Sequence, residues 1–334
     1  MTPLPYRVPP PAPDSLITWP ASFGTRFLVC VDVEEEFDWR APLDPRNRST
    51  AAMSAFPAAH RWFADRSVGL ACFVDHPVAS DARAVDILRG VAADGRSEIG
   101  AQLHAWVTPP YAAAVPGDSY AGNLPVAEER AKLAALTGLL REGFGRTPRI
   151  YRGGRYGIGP RTLQLLREQG FAIDSSVRAR YDYRADLGPD FGTLGNAAYR
   201  VQGMIELPLT SVFTGRLRGV GPGLYRALGR VPRGRGAAAR SGLLQRVALT
   251  PEDMPIADAL KAVTVAAGDG ERLLNFSFHS PTLMPGNTPY VRDAADLARF
   301  WRWWEAMLAH LDRLGVRATT IEEIIAASDQ AGTP

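Results

Sequence analysis

The sequence predicts an α/β fold built on a parallel sheet and closed into a barrel. Three observations lead there. Short apolar runs alternate with amphipathic helical patterns along most of the chain, and some seven or eight such repeats follow one another. The length of 334 residues could hold two average domains, but it also suits one large (β/α) barrel, which the number of repeats favours. A hydrophobic content of 46% against 22% charged residues supplies a sizeable core.

The elements follow in order. Residues 1–24, "MTPLPYRVPPPAPDSLITWPASFG", are proline-rich and predict an extended arm ahead of the fold at 25–330. "RFLVCVDV" (26–33) is rich in β-branched and aromatic residues and predicts a buried strand. A helix over 50–67 precedes a second strand, "GLACFVD" (69–75), and a helix over 81–93 leads into "EIGAQL". Then come a helix over 125–142, the short strand "RIYRG", and a helix over 160–169 stopped by Gly170. "FAIDSS" (171–176), "MIELPLT" (204–210) and "LLNFSFHS" (273–280) read as further strands. The helix over 291–313 carries Leu297, Phe300, Trp301, Trp304, Met307, Leu308 and Leu311 at i, i+3, i+4 spacing, a core stripe. "VRATTI" closes the series as a last strand.

Composition narrows the function. Lysine occurs only at 132 and 261, the other basic residues being arginines, and no charged block resembles a nucleic-acid arm, so no nucleic-acid partner is expected. Cys30 and Cys72 sit inside apolar runs and read as small buried hydrophobes. No apolar run approaches the roughly 20 residues needed to cross a bilayer, and the proline-rich start lacks a signal-peptide pattern, so a cytoplasmic protein without a transmembrane segment is expected. One segment breaks the rhythm: residues 214–247 hold eight arginines and no acid. It reads either as a solvated insertion or as a basic flap over the site, the latter suited to an anionic substrate, phosphate- or lipid-linked.

Catalytic groups of parallel α/β folds gather where strands finish. The strand ends here supply Asp32 and Glu34, Asp75 and His76, Gln102 and His104, Arg152 with Tyr156 beyond it, then Asp174, Thr210 and His279. Side chains two apart on a strand share a face, so Asp32 with Glu34, and Gln102 with His104, could each face one centre. A carboxylate, an imidazole and an amide oxygen there would suit a divalent cation of the zinc, cobalt or nickel type. Asp174 could equally cap a turn with Ser175 and Ser176.

The ordered set "VDVEEEFDW", "EIGAQLHAW", "YRGGRYG", "FAIDSSV", "IELPLT" and "FSFHSP" resembles the polysaccharide deacetylase family, the NodB-homology fold of carbohydrate esterase family 4, in a divergent branch. The resemblance implies a single-domain, distorted (β/α) barrel of about seven parallel strands. It also implies a metal-dependent hydrolase that removes N- or O-acetyl groups from a sugar. By it Asp32 is the general base, Arg152 holds that base, and His279 is the general acid. Glu34, His104 and Gln102 hold the metal, zinc or else cobalt or nickel, with Gln102 where the motif's first histidine stands and Trp106 where the second would fall. Trp106 and Tyr156 would stack on a sugar ring, and Asp75, His76 and Asp174 complete the expected substrate contacts. The expected partner is an acetylated carbohydrate, including anionic and lipid- or nucleotide-linked forms. The alternative is a catalytically silent carbohydrate-binding barrel with a degraded metal site.

Overall fold

The computed structural model describes residues 5–111 and 117–330. Its strands, in chain order, are β1 (Arg26–Val33), β2 (Leu70–Val74), β3 (Glu98–Leu103), β4 (Ile150–Gly153), β5 (Ile173–Asp174), β6 (Tyr199–Val201), β7 (Met204–Glu206), β8 (Ser211–Thr214), β9 (Gln245–Ala248), β10 (Leu273–His279) and β11 (Arg317–Ala318). The helices are α1 (Phe56–Ala64), α2 (His76–Ser80), α3 (Ala82–Ala92), α4 (Val126–Phe144), α5 (Thr162–Glu168), α6 (Gly221–Leu228), α7 (Gly234–Arg240), α8 (Ile256–Gly268), α9 (Ala294–Arg313) and α10 (Ile321–Gln330). Parallel strands run in the order β10-β1-β2-β3-β4-β5-β7. This is the expected distorted barrel of seven parallel strands; β6 adds an antiparallel edge to β7, and β11 pairs with the start of β1.

Alternation along the strands makes two cores. One set of residues, including Val29, Val31, Cys72, Val74, Leu274 and Phe276, packs outward against α1, α3, α4, α8 and α9. The other set, Leu28, Cys30, Ala71, Phe73, Ile150, Ile173 and Leu207, fills the barrel. Cys30 and Cys72 are free and buried, one in each core, as the apolar runs around them suggested. Phe23, Ile321, Ile324 and Ala327 join the interior set and plug the end from which β1 starts.

The barrel is joined by backbone ladders from β10 around to β7. The remaining gap is bridged more sparsely. Asn275 donates its N–H to Thr210 Oγ1 (2.9 Å) and its Nδ2 to the Pro208 carbonyl (2.8 Å), and its own carbonyl accepts from the Thr210 N–H (3.3 Å). The Ser277 N–H donates to the Leu249 carbonyl (3.1 Å).

Several features depart from the expected element order, among them α2, β6 and the shortness of β5 and β7. The last strand is only two residues long, because "TIEE" forms a capping box. Thr320 Oγ1 accepts from the Glu323 N–H and Glu323 Oε2 from the Thr320 N–H, both at 3.2 Å, starting α10. Helix α8 occupies a stretch that the expected order left unassigned. The helix expected from 50 opens with a 3-10 turn, Ala51–Ala55, ahead of α1. Residues 214–247 fold as α6 and α7 on the antiparallel β8–β9 hairpin. The proline-rich arm, interrupted by 3-10 turns at Pro13–Ser15 and Ala21–Phe23, lies along 190–199, with Asp190 N–H donating to the Tyr6 carbonyl and Ile17 N–H to that of Ala198, both 2.9 Å; residues 1–4 of it lie outside the described residues.

Candidate active site

The interior file of each strand decides what reaches the open end. Leu28 and Cys30 point inward, so Asp32 does too, and parallel register sets it opposite His279 on β10. Ile150 points inward, so Arg152 does, opposite Gln102 on β3. Glu34 and His104 continue two of these files just past the ends of β1 and β3. Asp32 thereby meets Arg152 across 120 positions of sequence.

Arg152 is fully buried and holds Asp32. Its Nη1 donates to Asp32 Oδ1, its Nε to the Ser175 carbonyl (3.1 Å) and its Nη2 to Ser175 Oγ (3.2 Å), while the guanidinium lies 4.0 Å from the Phe73 ring centre. The other Asp32 oxygen, Oδ2, faces His279 Nε2 at 3.6 Å. His279 is fixed from behind by Glu252, whose Oε2 is 2.7 Å from Nδ1 and whose Oε1 accepts the His279 N–H at 2.9 Å. Burial opposes the charge on His279. The carboxylates of Glu252, then Glu34 and Asp32, outweigh burial and raise its pKa to about 10.

A second group lies beside the first. His104 Nδ1 is 2.7 Å from Glu35 Oε2, and Trp106 Nε1 donates to Glu35 Oε1 at 2.8 Å; the two rings stack at 4.2 Å. With Nδ1–H donating to Glu35, His104 presents a bare Nε2, and that atom is 3.4 Å from Glu34 Oε2. Two acceptors therefore face each other. Burial pushes Glu34 well above the usual carboxylate range and His104 down to about 4. Glu34 Oε1 and Gln102 Oε1 are moreover buried without a hydrogen-bond partner among the described residues.

These observations test the fit of a divalent cation, which the fold family implies. A bare imidazole nitrogen and a carboxylate oxygen 3.4 Å apart, both buried, need either a proton or a cation between them, and Gln102 reaches the same carboxylate oxygen with Nε2 at 3.5 Å. Oxygen and imidazole donors are what zinc, cobalt or nickel accept. Asp32, Glu34 and His279 also bring ligand atoms within 4.8 Å of one another. The residues fit.

Above this floor opens a cavity of about 670 Å³. Its wall carries Trp39, Trp106, Tyr156, Tyr183, Arg178 and Tyr290. Trp39 stands edge-on to His279 at 5.0 Å and to Tyr290 at 5.5 Å. Of the residues singled out in the sequence, Asp32, Glu34, Gln102, His104, Trp106, Tyr156 and His279 line the cavity, and Arg152 lies under it. Three lie elsewhere and are corrected as substrate contacts. Asp75 is fully buried as the N-cap of α2, accepting from the Val78 N–H (2.9 Å) and the Glu35 N–H (2.7 Å). His76 follows as the first residue of that helix and faces Ser80. Asp174 has the opposite strand parity to inward-facing Ile173, and it accepts from Ser176 as a turn cap, at 3.1 Å from its N–H. The arginine-rich segment does not cover the site: none of 215–247 lines the cavity.

Two residues outside the sequence expectations hold the histidines, Glu35 and Glu252. Glu35 stands in a run of three glutamates with nothing to mark the middle one. Glu252, in "TPED", reads as an ordinary turn acid.

No family model matches the chain, and no curated protein matches it. Among solved structures it is similar to a protein from Mycobacterium smegmatis designated a polysaccharide deacetylase, with TM-score 0.54 and 18% identity over 97% of this chain and 96% of that one. A protein of the same designation from Pseudomonas aeruginosa PAO1 gives TM-score 0.51 and 16% identity over 94% of each chain. The 4-alpha-glucanotransferase of Thermococcus litoralis gives 0.51 and 10% over 91% of this chain and 40% of that one. The chain therefore has the polysaccharide deacetylase fold, a barrel shared with other carbohydrate chemistry.

Proposed function

We propose that the chain is a metal-dependent carbohydrate deacetylase, hydrolysing N- or O-linked acetyl groups on a sugar or sugar-containing precursor. The observation that carries this is the division of Asp32: one oxygen is held by Arg152, and the other faces His279 at the floor of an aromatic-walled cavity. Glu34, His104 and Gln102 would hold the cation, which when bound supplies Lewis acidity toward water and the acyl oxygen. Asp32 Oδ2 takes the proton of the attacking water, Arg152 keeping that carboxylate from turning away. His279 carries its transferable proton on Nε2, because Nδ1 is engaged by Glu252, and delivers it to the departing amine or alcohol. Trp39, Trp106 and Tyr156 offer faces for a sugar ring.

The test is acetate release from a panel of acetylated sugars, free, nucleotide-linked and lipid-linked, with protein loaded with zinc or cobalt. Asp32→Asn should lower turnover by about 10²–10⁴-fold, the range for losing a positioned base, with the fold retained but melting lowered by loss of the buried pair with Arg152. Unchanged turnover removes Asp32 from that role. A protein that recruits no metal and releases no acetate, yet binds the sugars, is instead a silent carbohydrate-binding barrel.

A further inference from the structure

The segment 214–247 plays no part in the cavity, and its construction suggests another use. Helices α6 and α7 project from the β8–β9 hairpin over a small core of their own: Phe213, Ala238 and Leu244 are buried, with Leu224, Tyr225 and Leu228 against them. Three of its eight arginines are engaged. Arg218 pairs with Asp269, Arg235 lies over the Tyr225 ring, and Arg246 lies over Tyr181. Arg216, Arg226, Arg230, Arg233 and Arg240 are exposed and, among the described residues, enter no ion pair. Four of the eight exposed large hydrophobic residues in the described chain also fall here: Leu217, Val220, Val231 and Leu243. Leu217 and Leu243 adjoin at the neck, where the Leu217 N–H donates to the Leu243 carbonyl (2.9 Å).

Unpaired arginines interspersed with exposed aliphatic side chains suit a surface that is both anionic and oily. We infer that this projection docks on an anionic lipid membrane, arginines at the headgroups and the four aliphatic side chains at the acyl boundary. Nucleic acid fits less well, since binding it favours exposed aromatic rings, and the only one here, Tyr225, packs beneath Arg235 and Arg246. No helix among the described residues is long and apolar enough to cross a membrane, so the contact inferred is with its surface. At its base Arg246 lies over Tyr181, which stacks on Tyr183 in the cavity wall, so the docked surface lies on the Tyr183 side of the cavity.

The test is co-sedimentation of the full chain with vesicles of phosphatidylcholine alone or containing about one third phosphatidylglycerol, at about 0.1 M salt. The expected result is binding at least about tenfold tighter to the anionic vesicles. Each arginine near the surface contributes about fivefold, so reversing Arg226, Arg230 and Arg233 to glutamate should weaken binding more than about 100-fold. Leu217→Ser with Val220→Ser and Val231→Ser keeps the charge and should weaken binding several-fold, with the remainder more easily removed by salt. Melting curves check that both variants remain folded. Failure to sediment with anionic vesicles, equal binding to neutral ones, or full binding by the arginine variant overturns the inference. So does capture of RNA, or self-association through this face, without vesicle binding.

Discussion

Glu35 illustrates how one buried side chain sets what its neighbours can do. By accepting hydrogen bonds from His104 Nδ1–H and Trp106 Nε1–H, it selects the tautomer that leaves Nε2 free and fixes the ring beside it. Glu35→Gln keeps the size and removes the charge. The amide can also donate to Nδ1, which moves the histidine proton to Nε2. Cobalt affinity, measured by titration calorimetry, is expected to fall about 10–100-fold with the fold retained. Unchanged affinity would show that His104 orients itself. Single residues are where sequence is hardest to interpret. Asp32, Arg152 and His279 are legible because they end apolar runs at matching depth. Glu34, Glu35 and Glu36 are chemically identical in sequence, yet they face a candidate metal site, a histidine, and the Ala52 N–H respectively. Their division of labour arises only when β1 ends at Val33 and the chain turns.

Among the elements, the "GGRYG" loop after β4 is the tightest fit to the site. A Cβ on Gly154 would lie 2.5 Å from His104 Cδ2 and 2.7 Å from the Leu103 carbonyl oxygen. The following Arg155 and Tyr156 adopt φ of 53° and 62°, the left-handed region that non-glycine residues seldom occupy. Gly154→Ala should therefore displace the His104 ring. The expected outcome is a stability loss of about 1–3 kcal/mol in thermal melts together with weakened cobalt binding. Wild-type values for both would mean the loop yields freely. The barrel strands are legible because their β-branched runs are bounded by polar ends. Helix α8 is obscured by its composition: "IADALKAVTVAAG" is apolar or small nearly all round and shows little periodicity. Helix α10 is left unassigned because the apolar pattern of "VRATTI" is stronger to the eye than the capping box at its end.

For the whole molecule, the buried acids make stability depend on pH. Glu129 on α4 accepts from Thr162 Oγ1 and is 3% exposed; burial raises its pKa from 4.5 to about 7. A carboxyl whose folded pKa exceeds its unfolded one keeps its proton on folding. Stability is therefore lost as pH rises from about 4.5 to about 7 and levels off above that. Glu129→Gln should remove this share, making the variant more stable than the wild type by about 2–3 kcal/mol at pH 8 and similar to it near pH 4.5, by urea unfolding. Equal curves at both pH values would show that Glu129 ionises as freely as in the unfolded chain. Barrel architecture itself is legible from the repeating order, whereas the way the barrel closes is not. Closure depends on Asn275 and Thr210, two unremarkable polar residues meeting across 65 positions. That seam has a kinetic consequence. On one side β10 is laced to β1 by a seven-residue ladder; on the other it hangs from a few scattered bonds. The barrel should therefore breathe by unzipping at this seam, and the Asn275 and Ser277 amides should exchange with deuterium sooner than those of Leu28 to Val31. Asn275→Leu should hasten that opening, and with it the wandering of the strand that ends in His279.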